Sequence, residues 1–120
     1  MVKIIDIFKQ LEKEYPEAFT LSGRIKQLDL IDSPWNIARV EGFKCMIHDF
    51  SQNTIDDFIV HEYHSDVLLN YNRLVTIYLT EPQKIYDSII KSMAAYYELQ
   101  KQARLKLSNK QVDQMLKNLD

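Results

Sequence analysis

The chain has 120 residues, 46% apolar and 27% charged. Such a composition supports one globular domain over residues 1–120 with a core of useful size, and it excludes wholesale disorder. Net charge is −2 and Cys45 is the single cysteine, which excludes an internal disulfide and a cysteine-based zinc site.

The first element is a helix. Ile4, Ile7, Phe8, Leu11 and Tyr15 recur at spacings of three and four, with Lys9, Glu12 and Lys13 on the other face. Tyr15-Pro16 ends it, because a residue before proline avoids the helical region. Ser22-Gly23 punctuates the chain next.

The middle reads as β structure. Arg24 to Asp32 predicts a weak strand, and Ser33-Pro34 a turn. Trp35 to Phe50 reads as a longer strand in which Ala38 and Val40 share one parity while Phe43, Cys45 and Ile47 share the other. The switch falls at Gly42, which suits a bulge or bend. Phe58 to Tyr63 is β-branched and aromatic enough for a third strand. A short strand is expected at Val67 to Leu69, and Arg73 to Leu79 alternates cleanly as the last strand.

A long helix follows from Thr80 to Leu107. Thr80 with Gln83 forms a capping box, and Pro82 is tolerated in the first turn. Its apolar face divides into two rows. Ile85, Ile89 and Tyr96 make one, continued by Ala103 and Leu107; Tyr86, Ile90 and Tyr97 make the other, continued by Lys101 and Arg104. A second capping box at Ser108 and Gln111 predicts a separate short helix carrying Val112, Met115, Leu116 and Leu119. The expected class is α+β: an N-terminal helix, an antiparallel sheet of three to five strands, then a long and a short C-terminal helix. One end of the long helix should reach the edge of a domain of this size or overhang it.

Catalytic motifs are scarce. The two glycines, Gly23 and Gly42, belong to no phosphate-binding loop, and no G-x-S-x-G elbow exists. Cys45 lies between Phe43 and Ile47 on its strand face and reads as buried and inert. His48-Asp49, Asp56-Asp57, His61-Glu62 and His64-Asp66 gather metal-ligand types into one span, and His48, Glu62 and His64 are the set a metal-dependent enzyme would use. Their spacing matches no motif, so a polar strand face is the preferred reading and neither metal nor cofactor is assigned. Trp35, beside a turn, reads as a lid over the core end.

Charge is split, at net −5 over residues 1–70 and +3 over residues 71–120, with four basic residues and no acid from Lys101 to Lys110. Tyr86, Tyr97, Lys101, Arg104 and Lys106 are therefore the expected partner-binding residues, of types enriched at protein interfaces. They imply a non-enzymatic protein-binding module, acting on a host protein or forming a homodimer. A nucleic-acid regulator using Lys101 to Lys110 is the alternative, disfavoured by net acidity. The usage of Ile, Lys, Asn and Tyr suggests an AT-rich coding genome, and with it an inhibitor or regulator carried by a phage or mobile element. The N-terminal residues lack the pattern of a signal peptide and no window reaches the length of a membrane span, so a cytoplasmic location is expected.

Overall fold

The computed structural model describes residues 3–22, 26–31, 36–56, 58–59 and 74–118, with side chains in the last helix described as far as Lys106. Helix α1 spans Ile4–Glu14 and buries Ile4, Ile7, Phe8 and Leu11, the stripe expected from their spacing. It stops at Tyr15, whose N–H closes the last turn on the Leu11 carbonyl at 2.9 Å.

Five strands follow: β1 (Phe19–Ser22), β2 (Gln27–Leu30), β3 (Asn36–Glu41), β4 (Lys44–His48) and β5 (Leu74–Tyr78). They form one antiparallel sheet in the order β1-β2-β3-β4-β5. The register slips between β2 and β3: Leu28 pairs Ala38 but Asp29 pairs Asn36, which leaves Ile37 as an extra residue on β3. Such a bulge re-aims side chains, and Ile37 and Ala38 are both fully buried although adjacent in a strand.

The expected single strand from Trp35 to Phe50 is in fact the β3–β4 hairpin. Gly42 and Phe43 form a two-residue turn closed by the Glu41–Lys44 pair, and Gly42 has φ +60°. A two-residue turn pairs residues of opposite parity, so Ala38 faces Ile47 and Val40 faces Cys45 on the same inner side. The parity switch at Gly42 therefore marks a reversal of direction, not a bulge.

Between β4 and β5 lie a 3₁₀ turn, Phe50–Gln52, and a helical turn covering residues 55–56 and 58–59. The strand expected from Phe58 thus begins as helix, with the Phe58 N–H bonded to the Thr54 carbonyl at 3.0 Å. Phe58 is buried against Tyr96, so packing overrides its β preference. Trp35 and the expected strand at Val67 to Leu69 lie outside the described residues.

Helix α2, Pro82–Asn118, is 37 residues long. It begins one residue later than the expected capping box places it. Pro82 is its first residue, Glu81 supplies the first accepting carbonyl to Ile85 at 3.2 Å, and Gln83 bonds Asp87 rather than reaching back. It also does not break at Ser108 into a long and a short helix. No glycine or proline lies between Pro82 and Asn118, so nothing forces an end there.

Both helices cover one face of the sheet, α1 on β1 and α2 on β3, β4 and the 3₁₀ turn. Phe8, Leu11, Leu28, Ala38, Cys45, Ile85 and Ile89 meet in the core, all fully buried. At about 1.5 Å per residue α2 is about 56 Å long. The molecule measures 67 Å along its longest axis, with a radius of gyration of 16.9 Å, above the roughly 13–14 Å of a compact chain of this length. Ala103 is the last side chain of α2 described as buried, and Arg104 and Leu105 are exposed. Among the described residues no helix is long and apolar enough to cross a membrane.

Candidate interaction surface

The two rows of α2 meet different surroundings. Ile85, Ile89, Tyr96 and Ala103 are all buried in the core. The second row divides. Tyr86 and Ile90 pack against the core edge, and the Tyr86 hydroxyl donates to the Glu14 carboxylate at the end of α1. Gln10 donates to the other oxygen of the same group at 2.7 Å. These bonds, the one from Tyr86 first, hold the Glu14 carboxyl below its ordinary range, and the bond to Glu14, with the nearby negative charge, pushes the Tyr86 phenol up to about 12.

Tyr97 is different: it is 40% exposed. Its ring meets that of buried Tyr96 edge-on at 5.6 Å, and Tyr96 in turn packs on Phe50 at 5.1 Å and Phe58 at 5.6 Å. The outer ring thereby rests against an aromatic cluster that belongs to the core.

Tyr97 lines two shallow grooves. One, of about 480 Å³, is completed by Gln100, Lys101, Arg104 and Leu105. The other, of about 530 Å³, runs over Met93 to Glu14, Tyr15 and Glu17 at the end of α1. The first has a basic rim and the second an acidic one.

Of the five residues expected to bind a partner, the structure brings Tyr97, Lys101 and Arg104 together. Tyr86 lies apart, in a separate groove with Ile7, Gln10 and Gln83. Lys106 pairs with Asp56 below the helix. Leu105, 58% exposed, and Gln100 join the surface without having been singled out by sequence. Leu105 falls outside both apolar rows, and an apolar residue out of phase with its own stripe was the available signal.

The other chemistry read from the sequence is placed as follows. Cys45 is fully buried, and burial pushes its thiol up to about 12, so it offers no thiolate. His48 is half-buried on β4, and its Nδ1–H donates to the Asn36 carbonyl at 2.8 Å. Glu62 and His64, the other two residues of the metal set, lie outside the described residues. Among the described residues no cluster of three metal-ligating side chains occurs.

Sequence reasoning passed over Ser92. It is fully buried on the core face of α2, where it accepts the Phe50 N–H at 3.0 Å and donates to the His48 carbonyl. This hydroxyl ties the end of β4 to the helix and so positions the Phe50–Tyr96 pair beneath Tyr97. No protein-family model matches the chain, and neither the curated proteins nor the solved structures compared with it contain a match.

Proposed function

We propose that the protein is a small non-enzymatic binding module that engages another protein surface through Tyr97, Lys101 and Arg104. One observation carries this reading: an exposed tyrosine, fixed from below by a buried aromatic cluster, opens onto a groove rimmed by a lysine and an arginine. A positioned aromatic beside an arginine is the composition of interface hot spots, because little side-chain freedom remains to be lost on binding. The module occupies a surface of its target and so inhibits or regulates it. A cytoplasmic setting, resting on the N-terminal pattern and the lack of a long apolar window, and carriage by a phage or mobile element, resting on residue usage, are parts of the same proposal.

The test replaces Tyr97, Lys101 and Arg104 together by alanine. All three are exposed, so the variant should keep the circular dichroism and melting behaviour of the parent. It should also lose capture of protein partners from host extract and any self-association seen by sedimentation. A folded variant with unchanged capture and unchanged sedimentation would sink the assignment. Retention of DNA or RNA at low salt, lost steeply as salt rises, would point instead to the nucleic-acid alternative.

A further inference from the structure

We infer that the partner of this surface is a second copy of the same chain, docked about a two-fold axis at Tyr97. This rests on the binding reading above and specifies its partner. Tyr97 is the wall shared by two grooves of opposite charge, with Glu14 and Glu17 on one side and Lys101 and Arg104 on the other. Met93, Tyr97 and Lys101 follow at intervals of four residues. The floor of the acidic groove therefore lies about 6 Å up the helix axis from Tyr97, and the first basic residue about 6 Å down it.

A two-fold rotation through Tyr97 exchanges these halves. The basic side of one protomer then meets the partner's acidic side, and the same contact is made a second time on the other side of the axis. Such a patch is self-complementary, which is the requirement of an isologous dimer. A foreign partner would have to carry both signs in mirrored order to match it as well.

The charges stand ready for this use. The ion pairs among the described residues are Arg39–Glu41 and Lys106–Asp56, and neither involves the four groove residues. Glu14 accepts hydrogen bonds from Gln10 and Tyr86, both uncharged, so its negative charge is oriented without being neutralised. The polar rims flank apolar material on each side of the axis, Met93 in one groove and the exposed Leu105 in the other.

The test is sedimentation velocity of the full chain with two charge-reversed variants, Lys101→Glu/Arg104→Glu and Glu14→Lys/Glu17→Lys. Glu17→Lys alone serves as the acidic-side variant that keeps the Tyr86–Glu14 hydrogen bond. The parent should dimerise at micromolar concentration and dissociate as salt rises, because exposed charges are screened. Each reversed variant should weaken the dimer on the order of tenfold or more, and mixing the two opposite variants should restore a dimer containing one of each. Variants that dimerise as well as the parent, or a mixture that stays monomeric, would overturn the two-fold contact. A monomeric parent would overturn it too, while loss of foreign-partner capture in the triple alanine variant would show that the binding surface itself stands.

Discussion

The Ser92 hydroxyl, on the third turn of a long helix, accepts the backbone N–H of Phe50, forty-two positions earlier in the chain, at 3.0 Å. Its proton goes to the His48 carbonyl, so one buried side chain satisfies two backbone groups where β4 gives way to the 3₁₀ turn. Ser92→Ala leaves both without that partner and should cost about 1–3 kcal/mol of stability, measured by urea unfolding. A loss below about 0.5 kcal/mol, the range of ordinary surface changes, would mean that water or a shifted turn replaces the hydroxyl.

His48 sets a pH dependence. Burial lowers its pKa below the ordinary 6.5; the hydrogen bond to Asn36 opposes this and the nearby Arg39 charge adds to it. The unfolded chain therefore binds more protons near that pH than the folded one does. The contribution of His48 is complete above about pH 6.5 and declines as pH falls through that value. His48→Gln can still donate to Asn36 but does not titrate, so its melting temperature should fall less steeply between about pH 7.5 and 5.5. Parallel slopes for the two proteins would show that the imidazole is solvated in the folded state.

Gly42 is needed for its backbone. Its φ of +60° disfavours a side chain, yet a Cβ there would meet nothing within 4 Å. Gly42→Ala should therefore cost about 1–2 kcal/mol by strain alone. Gly42→Asn should cost less, since asparagine tolerates this conformation. Equal costs for both in thermal unfolding would contradict a purely conformational origin.

Cys45 reports on the sheet. It faces Val40 and Ile77 across its two neighbouring strands, fully buried, with a thiol pushed up to about 12. A disulfide reagent at about pH 8 should leave the native protein unmodified and react promptly once urea has unfolded it. Prompt native reaction would reveal local opening between β4 and β5. Cys45→Ser buries a hydroxyl between Val40 and Ile77 and should cost about 1–3 kcal/mol in urea unfolding.

The elements legible in the sequence were those whose period is set by one dominant contact. α1 and β5 show their buried faces directly, as Ile4, Ile7, Phe8 and Leu11 do, and as Ile77 does between exposed Thr76 and Tyr78. β1 was missed because four residues, Phe19–Ser22, are too few to display alternation and are held by pairing with β2. Gly42 was misread because a bulge and a two-residue hairpin leave the same parity change in a linear pattern. Phe58 and Ile59 favour strands locally, but packing of Phe58 on Tyr96, with Ile59 against the core, accompanies a helical turn instead. In the surface on α2, the joint position of Tyr97, Lys101 and Arg104 follows from helical stepping. Its acidic neighbours at the end of α1 do not, because only tertiary packing brings Glu14 and Glu17 beside Met93. Ser92 shares the phase of Ile85 and Ile89, and a polar residue inside an apolar stripe was its signature.

The separation of β4 from β5 by residues 49–73 also imposes an order on folding. The first four strands meet through short connections, and their contacts can form while the remainder of the chain is still unstructured. Pairing of β5 with β4 requires the intervening residues to close, an entropic cost that should place it after the local pairings. Substitutions such as Ile77→Val on β5 should therefore accelerate unfolding and leave the refolding rate almost unchanged, whereas truncating Leu28 or Ala38 should slow refolding. Strand β5 leads directly into α2, so the surface around Tyr97 should be completed late in folding, after the β1–β4 meander has formed.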